Sequence, residues 1–101
     1  MKTELRAKKE LQETYGKDNI IKVTIGKTEA FLVVGCGELI KLIKVHSFYL
    51  YQKEKIKKIT DKNIAEFSKS HYIPAEFWIY IISGKRRNKI NKEVYNLYEV
   101  K

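Results

Sequence analysis

A chain of 101 residues has room for one domain around one hydrophobic core, and its 44% apolar and 12% aromatic residues supply the volume to fill it, which excludes a disordered chain despite 33% charged residues. Lys and Arg total 21 against 12 Asp and Glu, and a net charge of +9 favours polyanionic partners, nucleic acid first, by counterion release from phosphates. No apolar run is long enough for a membrane span, the start Met1-Lys2-Thr3-Glu4-Leu5-Arg6 is too charged for a signal peptide, and Cys36, as the single cysteine, excludes an internal disulfide or a multi-cysteine zinc site, so a cytoplasmic protein is expected.

Thr3 to Tyr15 reads as a helix, with Ala7, Leu11 and Tyr15 on one stripe, Glu4 at its edge and Gly16 ending it. Ile20 to Ile25 alternates as a strand that Gly26 closes. Ala30-Phe31-Leu32-Val33-Val34 is apolar on both faces, and Gly35-Cys36-Gly37 turns it into a third strand, Leu39 to His46, so this pair belongs in the middle of a sheet. From Gln52 to about Ser70, Ile56, Ile59, Ile64 and Phe67 recur at helical spacing, which predicts an amphipathic helix with Thr60-Asp61 as the point where it would divide. After Pro74, Glu76 to Ile82 is an aromatic-rich strand, Ser83 to Asn88 a basic loop, and Val94 to Val100 the last strand. The order αβββαββ predicts one α/β domain over residues 1–101, a mixed five-stranded sheet flanked by two helices.

A helix bearing Glu4, a hairpin written Glu29-Ala30-Phe31-Leu32-Val33-Val34 and Ile43-Lys44-Val45-His46-Ser47, then a helix and a strand, resembles the PD-(D/E)xK nuclease superfamily. The archaeal and viral Holliday-junction resolvase-like nucleases are its nearest look-alikes. The resemblance runs from Glu4 through Pro74-Ala75-Glu76-Phe77-Trp78 and rests on the order of elements. It implies a restriction-endonuclease-like core, an archaeal or archaeal-virus source, and homodimers, since those nucleases act as symmetric pairs on branched DNA. In that family the second strand opens with Asp and the third carries Glu-apolar-Lys. Here Ala30 takes the Asp position, Lys44 the Glu position and His46 the Lys position, while Glu4 matches a helix carboxylate that some members use.

Residues two apart on a strand share a face, so Lys44 and His46 point together with Val45 opposite. A magnesium-dependent nuclease needs carboxylates there, whereas Lys44 repels a divalent cation. Glu29 neighbours Ala30 and so points away, and Glu38 sits at the hairpin tip. Glu4 facing Lys44 would make a salt bridge rather than a metal site. The expectation is a nuclease-like protein that has lost metal-dependent cleavage, with Glu4, Lys44 and His46 as degenerate catalytic positions. It would hold no metal or cofactor, and Mg²⁺ only if acids placed elsewhere keep the enzyme active. Lys44 and a protonatable His46 would hold a backbone phosphate or, alternatively, cleave without metal, His46 as base or acid and Lys44 stabilising charge. His71 reads as a helix-terminal residue favoured by the dipole. The expected nucleic-acid-binding set is Lys27, Lys44, His46, Lys85, Arg86, Arg87, Lys89 and Lys92, with DNA favoured over RNA and exposed aromatics offering stacking surfaces. A further alternative is an interaction or assembly protein whose basic charge serves solubility alone.

Overall fold

The computed structural model describes residues 2–58 and 61–97, apart from the side chains of residues 2, 56–58 and 87. Its elements in chain order are α1 (Lys2–Tyr15), β1 (Ile20–Ile25), β2 (Thr28–Gly35), β3 (Glu38–Tyr49), α2 (Lys62–His71), β4 (Ala75–Ser83) and β5 (Lys89–Asn96). A 3₁₀ segment, Leu50–Lys58, lies between β3 and α2. The strands form one mixed sheet in the order β1-β2-β3-β4-β5. Only the β3–β4 pair is parallel, so β2 and β5 run against the other three. Parallel neighbours need a long crossover, which the 3₁₀ segment and α2 supply. No described helix is long and apolar enough to cross a membrane.

Both faces of the sheet are buried, which is why β2 is apolar without alternation. Phe31, Val33, Ile43, Trp78 and Tyr80 pack with Ala7 and Leu11 of α1 on one face. Leu32, Leu42, Phe77 and Ile79 pack with Ile64 of α2 on the other, and Ala30 joins them. At the centre, Tyr80 is fully buried, and its hydroxyl lies 3.4 Å from Glu10 of α1.

The helix expected over Gln52 to Ser70 divides at Asp61, within the Thr60-Asp61 step marked in the sequence, and its first half is 3₁₀ rather than α. Asp61 adopts an extended backbone (φ −138°, ψ 98°) and its carboxylate accepts the Ile64 N–H at 3.2 Å, so α2 starts only at Lys62. The chain ahead of it winds as a 3₁₀ segment whose entry is fixed by Gln52 Oε1 accepting the Tyr49 N–H at 3.0 Å. Residues 59 and 60 and the Ile56 side chain lie outside the described residues. The last strand begins at Lys89 rather than Val94, pairing from Ser83↔Lys89 to Glu76↔Asn96, and residues 98–100 of the expected strand lie outside the described residues. β5 is an edge strand, and the Lys, Asn and Glu residues that protect a free edge make it read as loop. Lys89 and Lys92 therefore belong to β5, not to the preceding loop.

The β1–β2 turn is clamped onto the start of α2. Asn63 Nδ2 donates to Thr28 Oγ1 at 3.1 Å, and that hydroxyl lies 3.4 Å from Asp61 Oδ1. A Cβ on Gly26, whose φ is +64°, would sit 2.9 Å from the Asn63 side chain. Gly26→Ala is accordingly expected to cost about 1–3 kcal/mol, seen as a lower urea midpoint at unchanged m value. A midpoint equal to that of the wild type would mean the turn is not clamped.

Candidate functional site

β2 stays paired with β1 as far as Ile25↔Thr28, and β3 stays paired with β4 as far as Tyr49↔Ile82. Between themselves β2 and β3 are joined only from Phe31↔Ile43 to Gly35↔Glu38. Thr28–Ala30 thus part from Lys44–Tyr49, and a cleft of about 250 Å³ opens in the fork, closed at one side by Thr3 and Glu4 of α1. The hydroxyls of Thr3 and Ser47 are hydrogen-bonded to each other there, fixing the start of α1 against β3.

Ala30, Lys44 and His46 come together in this cleft on the α2 side of the sheet. Glu29 lines it as well, from the α1 side, with Glu4. Alternation along β2 does turn Glu29 away from Ala30, but where the sheet splits both faces open into one space. The available signal was the diagonal partner on β1. Thr24 pairs with Glu29, which sets Lys22 on the same face, within reach of that carboxylate.

Lys22 Nζ lies 2.8 Å from Glu4 Oε1 and 3.1 Å from Glu29 Oε2. Glu4 is therefore paired with Lys22 and not, as the sequence suggests, with Lys44. The hydrogen bond from Lys22 holds the Glu4 carboxyl below its ordinary pKa, and the hydrogen bonds to Glu4 and Glu29 hold Lys22 above its own. Lys44 Nζ donates instead to the Glu29 carbonyl oxygen at 3.0 Å, bridging the mouth of the fork. Two carboxylates and two ammonium groups leave the cleft formally balanced.

His46 is flanked by Phe48, stacked at 6.1 Å and 14°, and Phe77, tilted at 5.6 Å and 43°. Burial first, and the Lys44 charge second, push its pKa down to about 4, with the Asp61 carboxylate opposing weakly. Its Nε2 is buried and has no hydrogen-bond partner among the described residues. His46 is a neutral imidazole at neutral pH, so it offers a phosphate no charge, contrary to the sequence-based expectation. The rings that flank it come from two directions, Phe48 from two residues along β3 and Phe77 across the parallel register. His71 behaves as expected of a helix-terminal residue, its Nδ1 3.0 Å from the Phe67 carbonyl and its ring stacked on Phe67 at 3.9 Å.

A group of exposed cations lies around the cleft. β1, β3 and β4 run toward the end of the sheet where the fork opens. Lys27 follows β1, Lys53 and Lys55 follow β3, Lys85 and Arg86 follow β4, and Lys89 starts β5 at that same end. All six are exposed, with the exposed acids Glu29 and Glu54 among them, while Glu13, Asp18 and Glu38 are exposed toward the opposite end beside Lys17. Arg86 holds a left-handed backbone (φ 59°) in the loop, and the Arg87 side chain lies outside the described residues. Lys92, of the expected binding set, is paired within the chain: its Nζ sits 2.6 Å from Glu10 Oε2 and 4.0 Å from the centre of the Trp78 ring, tying β5 to α1.

Among the described residues no group of three or more His, Cys, Asp and Glu side chains is placed to hold a metal ion. Comparison with protein-family models, with curated proteins and with solved structures finds no match.

Proposed function

We propose that this chain is a nuclease-like protein that binds nucleic acid, DNA in preference to RNA, on a restriction-endonuclease-like core that no longer performs metal-dependent cleavage. The observation that carries the reading is the polarised charge: Lys27, Lys53, Lys55, Lys85, Arg86 and Lys89 gather at the end of the sheet where the cleft opens. Such an arrangement suits a phosphate backbone laid across that end, which it grips without reading sequence. The resemblance is supported by the helix, three-strand meander, helix and parallel strand in that order. Ala30, Lys44 and His46, standing at the family's metal-site positions, line one cleft and supply no carboxylate. A homodimer belongs to the same reading.

The test is fluorescence anisotropy against duplex, single-stranded and four-way-junction DNA at two salt concentrations, with a Mg²⁺/EDTA pair on a gel. Binding that weakens steeply with salt, without product, is expected. The double variant Lys85→Ala/Arg86→Ala is expected to flatten the slope of log K against log salt by about 2, near one unit for each phosphate that is no longer neutralised. An unchanged slope would remove these residues from the interface, and absence of binding would leave an interaction protein.

One observation favours a second reading, an active Mg²⁺ endonuclease with relocated acids. Glu4 and Glu29 already share one cation, Lys22 Nζ, at the cleft wall. Mg²⁺-dependent product on the gel would establish that reading. The metal-free alternative has weaker support, because the Nε2 of His46 is buried.

A further inference from the structure

Where β3 gives way to the 3₁₀ segment, Tyr51 is 80% exposed, yet its ring is held parallel to that of Tyr49, with centroids 5.8 Å apart and planes 8° apart. Tyr49 is half-buried and anchored beside Ile82 of β4. One face of the Tyr51 ring is thus backed by a fixed neighbour and the other is open to solvent. Exposed Lys53 and Lys55 follow it on the 3₁₀ segment, and Lys85 and Arg86 leave the neighbouring strand at the same end of the sheet.

An exposed aromatic face backed by a parallel ring, with cations at the same end of the sheet, fits one kind of partner better than others. A base offers a flat π-face to the ring while its phosphates meet the ammonium groups, and such stacking tolerates any sequence. Duplex DNA keeps its π-faces inside its own stack, so only unpaired nucleotides present both features. We propose that the nucleic acid bound here is single-stranded DNA, or an unpaired segment of a larger DNA, with Tyr51 as the stacking platform for one base and Lys53 and Lys55 beside the flanking phosphates. This rests on the nucleic-acid reading above and narrows its substrate.

The experiment compares the wild type, Tyr51→Ala, Tyr51→Phe and Lys85→Ala/Arg86→Ala in anisotropy titrations with labelled oligo-dT and with a blunt duplex. Because Tyr51 is exposed, its substitution is expected to leave the thermal melt unchanged. Tyr51→Ala is expected to weaken oligo-dT binding about tenfold with the salt slope intact, and to leave duplex binding alone, while Tyr51→Phe binds as the wild type does. The Lys85→Ala/Arg86→Ala variant is expected to weaken both ligands. If oligo-dT binds and Tyr51→Ala binds it equally well, the stacking proposal is overturned and the broader reading stands; if neither polymer binds the wild type, both fall. A change of sedimentation in Tyr51→Ala, with oligo-dT affinity unaltered, would reassign the ring pair to a contact between copies of the chain and overturn the proposal.

Discussion

Acidification from pH 7 to pH 4 is expected to remove about 2–3 kcal/mol of folding stability through His46 alone. The folded ring has a pKa near 4 against the ordinary 6.5. Below pH 6.5 the unfolded chain therefore takes up a proton that the folded chain refuses, and stability falls until the pH reaches about 4, where both states are charged. The difference between the two pKa values converts to somewhat over 3 kcal/mol, discounted because the ring is not fully enclosed and solvent screens its charge. That is a sizeable part of the 5–15 kcal/mol on which such domains stand. Urea unfolding at intervals across this range is expected to show a steady fall in the wild type and a nearly flat line in His46→Phe, which keeps the ring between Phe48 and Phe77. Glu4, whose pKa is held down, contributes stability that is present above the ordinary carboxylate pKa of 4.5 and is lost as the pH falls through its folded value, so it acts below most of the His46 window. Lys44→Ala removes the repelling ammonium and should shrink the loss. Parallel slopes for the wild type and His46→Phe would show that His46 is not the group responsible.

The same residue marks what a sequence can convey. That Lys44 and His46 share a face follows from period-two alternation, and the doubly apolar β2 announced a sheet covered on both sides. The state of the imidazole was not legible, because Phe77 reaches it only through the parallel β3–β4 register, across the crossover of the 3₁₀ segment and α2. The break at Asp61 in the helix expected over Gln52 to Ser70 was legible, and the extended Asp61 with its carboxylate on Ile64 N–H makes it; the 3₁₀ winding of Leu50–Lys58 was not, because the apolar spacing continues across it. Glu29 was set aside by a rule that is right for an unbroken sheet. It entered the cleft because β2 leaves β3 above Phe31, and nothing local in the sequence states where two strands part. Lys22 then claimed both carboxylates, a consequence of α1 and β1 meeting in space that spacing along the chain does not encode.

Phe77→Ala is expected to be the most damaging single truncation near the site, costing about 3–5 kcal/mol at pH 7. Phe77 is fully buried on the α2 face, on the central strand pair, beside Lys44 on β3 and opposite Tyr95 on β5. Its removal leaves a void against the ring of His46, whose buried Nε2 has no partner among the described residues. A void bordered by such a nitrogen and by the mouth of a cleft admits water, and water supplies the missing hydrogen bond. The folded imidazole then protonates more readily, so its pKa climbs back toward 6.5 and the acid-dependent loss shrinks. The two substitutions are therefore coupled: Phe77→Ala is expected to give a large drop at pH 7 but a flatter pH profile than the wild type. In a double-mutant cycle with His46→Phe, measured at pH 7 and again near pH 4.5, the interaction energy should change with pH. An interaction energy that is the same at both pH values would mean that the void stays dry and that Phe48 and the remaining core, not Phe77, keep His46 neutral.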